Sequence, residues 1–161
     1  EYLRFQAECG AAAVQVFESA APMLSDAAYE EFALPYQQRI MTALKGTVPT
    51  IVFARDRRNL EQLASAGADV ISLPASISIS EARRRLGAGA VVQGNLSNAL
   101  LAEGPLDAIT DSARRCIAEG GHRGHIFNLD HGLLKHTPYD HIVHLVKVVR
   151  ETIVEPGSNA M

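Results

Sequence analysis

Polar side chains in this sequence gather just after short apolar runs. They are Glu18-Ser19, Arg55-Asp56, Gln93-Gly94-Asn95, and Asn128 through His131-Gly132, with Pro74 closing the one apolar exception. In parallel α/β folds ligands and active sites collect at the carboxyl ends of strands, so these positions form the candidate set. Ser19 with His131 suggests a nucleophile and its base, yet no glycine-flanked nucleophile elbow surrounds Ser19, which sets hydrolase chemistry aside. Asn95 and Asn128 carry a plainer alternative, bonding to turn backbone. Arg55 could reach an anionic ligand, whereas Arg57 and Arg58 read as exposed loop charges.

Six histidines fall between His122 and His144, with His122/His125 and His141/His144 at an i,i+3 spacing that could share a metal. Zinc needs three or four converging ligands, and no cysteine or carboxylate falls at a complementary spacing, so solvated or capping histidines are the expectation. No His-x-Cys pair is present, which argues against zinc-dependent methyl transfer. Cys9 and Cys116 are far apart and form no CxxC motif or disulfide framework, so a reducing compartment is expected.

The elements that must position these groups repeat along the chain. Residues 14–17, 50–54, 70–73, 90–93 and 125–128 are short, β-rich apolar runs. Ser25 is an N-cap for a helix to about Phe32, and Pro35 opens a second helix with Leu34, Ile40, Met41 and Leu44 on its apolar face. Asn59 to Gln62 has the form of a capping box, and Ser78 with Glu81 caps a helix running to Leu86. Pro105 starts and Gly120-Gly121 ends a further helix. Thr137-Pro138 opens the last, striped by Ile142, Leu145, Val146, Val149 and Ile153. Gly87-Ala88-Gly89 precedes its strand and lacks the third glycine of a dinucleotide loop, so it is a turn. The tail 155–161 is expected to be loose.

Strand–helix alternation predicts right-handed βαβ units and a parallel sheet covered by helices. On periodicity alone, an α/β barrel and an open doubly wound sheet are level. The chain has 161 residues, whereas a closed eight-unit barrel needs about 250. Its first residue is Glu1 rather than Met, which raises the expectation of an upstream segment that was cleaved or removed. Composition, at 47% hydrophobic and 20% charged, is that of a globular protein without a membrane-inserting stretch. A net charge of −3 gives no reason to expect nucleic acid.

Four motifs in register settle the choice of architecture by resemblance. Phe17-Glu18-Ser19, Tyr29-x-x-Phe32-x-Leu34-Pro35-Tyr36, Gln93-Gly94-Asn95-Leu96, and His125 through Leu129 with His131-Gly132 are similar to the C-terminal half of the uroporphyrinogen decarboxylase family. The resemblance implies a partial (β/α)8 TIM barrel over residues 1–154, with about five βα units. It also implies a homodimeric enzyme that needs no cofactor and removes carbon dioxide from the four acetate arms of uroporphyrinogen to give coproporphyrinogen in porphyrin biosynthesis. Such a reaction asks for groups that hold the carboxylates and for stabilisation of a protonated, cationic pyrrole. The family's pyrrole-facing aspartate, and an arginine and a tyrosine near the reacting arm, lie in the N-terminal half. Carried over to this chain are Ser19 and His131, both as substrate-carboxylate contacts rather than catalytic groups.

Departures from the family pattern fall on the site rim. Asp130 replaces a glycine, which adds a negative charge and removes a backbone freedom that glycine permits. Ser97-Asn98 replaces the usual Asp-Pro, Pro74-Ala75 the usual Asp-Trp, and Pro22 a glycine. Two functional expectations follow. One is a uroporphyrinogen decarboxylase family domain that is inactive as an isolated half, its open edges needing another segment or chain. The other is a non-catalytic subunit docked on a larger plastid or mitochondrial complex. The compartments considered are the cytoplasm and the plastid stroma.

Overall fold

The computed structural model describes residues 1–152, so Ile153 and the 155–161 tail lie outside it. Five parallel strands stand in chain order: β1 (Val14–Glu18), β2 (Thr50–Ala54), β3 (Val70–Ser72), β4 (Val92–Gln93) and β5 (His125–Ile126). Among the described residues eight α-helices accompany them: α1 (Tyr2–Glu8), α2 (Asp26–Phe32), α3 (Leu34–Leu44), α4 (Leu60–Ala64), α5 (Ile79–Leu86), α6 (Asn98–Glu103), α7 (Leu106–Gly120) and α8 (Tyr139–Glu151). A 3-10 turn, Ala21–Met23, follows β1. Helices α1 and α6 have no counterpart in the sequence reading.

Alternation along the strands sorts side chains between two faces. Val52, Ala54, Ile71, Leu73 and Val92 point outward into the main core, which Tyr29, Leu60, Leu63 and Ile79 complete from the helices. A second cluster of Leu96, Leu101, Ile109, Ala113, Leu145 and Val148 seats α6, α7 and α8, and Phe127 joins the two. On the other face, the carboxamide of Gln93 on β4 reaches that of Gln15 on β1 at 3.1 Å. Three strand spacings of about 4.8 Å would hold these groups well apart in a flat sheet. The sheet therefore curls, and its concave face is the inside of a partial barrel.

Capping residues act largely as their sequence suggests. The hydroxyls of Ser25 and Ser78 accept from the Ala28 and Glu81 amides, and the Asn59 carboxamide accepts from the Gln62 amide. The capping box at Asn59 stays half-formed, because the Gln62 side chain turns away to Arg57 and to the Asp26 carbonyl. β4 starts later than expected because the Ala90 amide is held in a turn by the Gly87 carbonyl. β5 stops early opposite Gly94, whose left-handed φ of +124° interrupts the ladder before Leu96 and Leu129 pair again. An added Cβ at Gly94 would also sit 3.2 Å from the Leu73 carbonyl oxygen. The α8 stripe is rotated from prediction: Leu145 and Val148 are buried, while Val146 is 43% exposed.

Candidate functional site

The β1 end delivers Ser19 and the segment after β5 delivers His131 to one cleft of about 350 Å3 on the concave face. Phe53 lies between two rings, 5.7 Å from Phe17 and 5.8 Å from His131, both tilted as aromatic pairs prefer. This row gives the cleft an aromatic wall. Asn128, Leu129 and Gly132 form the β5 side, and Gln15, Ser72 and Gln93 lie deeper in the curl. Among the described residues neither Ser19 nor His131 makes a side-chain hydrogen bond, so hydroxyl and imidazole both remain available to a ligand.

Of the other predicted strand ends, Gln93, Asn128 and Gly132 also line this cleft, whereas Arg55, Asp56, Pro74 and Asn95 do not. Arg55 is half-exposed and its nearest anion is its own neighbour, Asp56, at 3.4 Å. Asn95 is buried and donates to the Pro74 and Ile77 carbonyls, so it fixes the β3 and β4 loops. The Asn128 carboxamide accepts from the Leu129 amide. Phe53, Gln15 and Ser72 were overlooked because attention to strand ends passes over positions inside the strand. For Gln15 a signal was present in the two-residue step Gln15, Phe17, Ser19, which places all three on one face.

Arg57 corrects an expectation. It is only 5% exposed, its guanidinium lies 4.0 Å from the centre of the Tyr29 ring, and it pairs with Asp26 at 2.9 Å. It also donates to the Leu24 carbonyl and the Gln62 carboxamide. A planar guanidinium stacked on an aromatic face tolerates burial that an isolated charge would not. Burial pushes the Tyr29 hydroxyl above its ordinary pKa, opposed by its hydrogen bond to Gln37 and by Arg57. The motif around Tyr29 thus braces the turn after β1 from behind.

Asp130 corrects another. Its backbone lies outside the left-handed region, so glycine's freedom is not required there. Its carboxylate accepts from the Asn98 amide at 2.8 Å, and the Asn98 side chain donates to the Gly132 carbonyl at 2.9 Å. Two departures from the family motif are therefore one exchange. Where proline would have no amide at the start of α6, asparagine has one, and Asp130 satisfies it. The loop carrying His131 is latched to α6 as a result.

The histidines are dispersed onto separate partners. His125 Nε2 meets the Gly94 carbonyl at 2.6 Å, His141 the Leu101 carbonyl, His144 the Thr110 hydroxyl and His136 the Glu103 carboxylate. A carbonyl only accepts, so Nε2 of His125 carries the proton. Burial lowers its pKa, the Gly94 bond acts the other way, and Arg83 lowers it further. Among the described residues no three His, Cys, Asp or Glu side chains converge as a metal site would require.

The family model described as Uroporphyrinogen decarboxylase (URO-D) matches residues 1–152. The chain belongs to the uroporphyrinogen decarboxylase family. It is 40% identical over 154 residues to uroporphyrinogen decarboxylase 2, chloroplastic, of Arabidopsis thaliana, covering 93% of this chain and 39% of that protein. A uroporphyrinogen decarboxylase of Neisseria meningitidis is 41% identical over 157 residues, covering 93% of this chain and 44% of the relative. The chain thus spans under half the length of these curated relatives. Among solved structures, a methyltransferase from Methanosarcina mazei superposes with a TM-score of 0.79 at 22% identity, over 93% of this chain and 45% of that one. At that identity the likeness speaks for the barrel fold alone. Among the described residues no helix is long and apolar enough to cross a membrane.

Proposed function

We propose that this chain is the C-terminal wall of a uroporphyrinogen decarboxylase site and is inactive without the rest of the barrel. The observation that carries the reading is the meeting of Ser19 and His131, from opposite ends of the sheet, in one cleft beside Phe17 and Phe53. A hydroxyl and an imidazole at the mouth suit the carboxylates of an octa-acid, and aromatic faces suit pyrrole rings. Once a ring is protonated on carbon, the bond from the acetate methylene to its carboxylate breaks. Carbon dioxide leaves and the bond's electron pair neutralises the ring. Ser19 and His131 hold carboxylates during this step; the protonating and cation-stabilising groups come from outside this chain, and no cofactor is needed.

The remaining barrel units, on the same chain or another, would also cover two incomplete borders. β1 and β5 each pair on one side only among the described residues. At the β5 border α8 leaves Tyr139, Val143 and Val146 exposed at helical spacing, and at the β1 border α1 leaves Tyr2 and Phe5 exposed. These are faces that neighbouring barrel helices would bury. The competing reading, a non-catalytic subunit of an organellar complex, draws on the altered rim. The Asp130–Asn98 latch accounts for two of those alterations while leaving the cleft lining intact, which favours the enzyme. Cytoplasm and plastid stroma both suit it.

The test is incubation of the full-length protein with uroporphyrinogen, following stepwise loss of four carboxylates by chromatography. Turnover is expected from the full-length protein and none from the 161-residue chain. Absence of turnover by the full-length protein, with stable association to a large complex, would establish the competing reading instead.

A further inference from the structure

His131 stands in the cleft with no side-chain hydrogen bond of its own among the described residues, so the backbone on either side of it sets where the imidazole points. Up to Asp130 that backbone still belongs to the sheet. The Leu96 amide donates to the Asn128 carbonyl at 3.1 Å, and the Asp130 amide donates to the Leu96 carbonyl at 2.9 Å. Beyond Asp130 this pairing has ended. Gly132 is exposed and a Cβ built on it would meet nothing within 4 Å, so packing does not hold the far side of His131.

Two hydrogen bonds take over from the ladder, and both end on Asn98. Its amide donates to Asp130 Oδ1 at 2.8 Å and its Nδ2 donates to the Gly132 carbonyl at 2.9 Å. One residue therefore grips both neighbours of His131. The grip has a fixed base: Ser97 Oγ accepts from the Leu100 amide at 3.2 Å, and Leu101 of the same helix is buried in the second core cluster. The Asp130 carboxylate, committed to Asn98, is not among the groups that line the cleft. A chain with glycine at 130 and proline at 98 could form neither bond, because it has no carboxylate, no amide hydrogen and no carboxamide at these positions.

We propose that Asn98 is a positioning residue for His131, and that with Asp130 it preorganises the imidazole for a substrate carboxylate. The proposal rests on the decarboxylase reading and gives two residues that do not touch substrate a part in binding it. A loop already held in its bound form loses little further freedom when the ligand arrives, so the clamp strengthens binding without entering the chemistry.

The experiment measures KM and kcat for uroporphyrinogen in the full-length protein, with thermal midpoints to confirm folding. Asn98→Ala removes the tie to Gly132 and should raise KM about fivefold while kcat stays within about twofold. In a His131→Ala background the same substitution should leave KM unchanged, since no imidazole is there to be placed. A rise of equal size in both backgrounds would show that Asn98 acts on the fold at large and would overturn the proposal, as would an unchanged KM with His131 present. Asp130→Asn and Asp130→Ala both remove the charge, but only the first keeps an oxygen for the Asn98 amide. KM should be about threefold higher for Asp130→Ala than for Asp130→Asn, and equal values would count against the clamp as decisively. If Asn98→Ala does not fold, or His131→Ala does not turn over, the Asp130 pair carries the test alone. Failure of wild type itself to turn over uroporphyrinogen removes the decarboxylase reading and this proposal together, whereas the wrong pattern among the variants removes only this one.

Discussion

The middle of the sheet and its two borders are built to different standards. β2 is buried at all five positions and packs between helices on one face and the cleft on the other. β5 has two ladder residues, one half-buried and one exposed, and α8 beside it keeps Tyr139 at 77% exposure. The contrast indicates where this chain is self-sufficient. Its centre closes its own core, while its borders leave apolar side chains and strand edges uncovered among the described residues.

Leu73→Ala and Val146→Ala are the sharpest pair with which to break that comparison. Leu73 is almost fully buried in the main core, so its truncation should cost about 2–5 kcal/mol wherever it is measured. Val146 is largely exposed in this chain, so the same truncation should change stability by less than about 0.5 kcal/mol here. In the full-length protein, with a covering helix present, Val146→Ala should cost more than about 1 kcal/mol. Denaturant midpoints of the four variants, each against the parent of its own length, decide the matter. Equal Val146→Ala effects in both lengths would mean that nothing further packs on the exposed face of α8.

The same contrast sets how far the sequence was legible. β2 was read to the residue because a run buried on both faces is apolar almost throughout, as Ile51 to Ala54 is after Thr50. β4 was read too long at its start, where the Ala90 amide turns back to the Gly87 carbonyl, and β5 too long at its end, because apolar composition does not reveal that Gly94 takes a left-handed φ and interrupts the ladder. Ser19 and His131 were found through motif resemblance, and the chain fold brings them together. Arg57 was misread because its value depends on the Tyr29 ring, 28 residues away in sequence, whose face no local pattern predicts. Asp130 was misread for the same reason, its partner being the Asn98 amide at the start of another helix.

The Asp130–Asn98 latch offers a cycle of intermediate size at the β5 border. Asp130→Gly should cost about 1 kcal/mol when Asn98 is present, because an amide at a helix start loses its acceptor. With Asn98→Pro already in place there is no such amide, and Asp130→Gly should cost little. Denaturation of the two single variants and the double variant should therefore return a coupling of about 0.5–1 kcal/mol. Additivity would mean that the contact contributes nothing.

Acid should separate the border from the centre with smaller effects. His125 at the β5 border is held neutral, its pKa lowered mainly by burial from an ordinary value of 6.5. The unfolded chain therefore binds a proton first as pH falls below about 6.5, and stability is lost from there down to the folded pKa, below which no more is lost from this group. Glu61 lies over the centre, where its hydrogen bond to Arg85 lowers its pKa from 4.5 to about 2. Its contribution is present above 4.5 and is lost as pH falls toward 2. The pair is exposed, at 2.6 Å, so its worth is about 0.2–1 kcal/mol and shrinks in salt. Amide hydrogen exchange against pH, corrected for intrinsic rates, reads both. Protection around Gly94 and His125 should fall as pH drops below about 6.5 while that of α4 and α5 holds, and His125→Phe should abolish the first step and spare the second. Loss of protection at both places in a single step would mean that border and centre unfold together, and that the difference between them is one of packing without being one of stability.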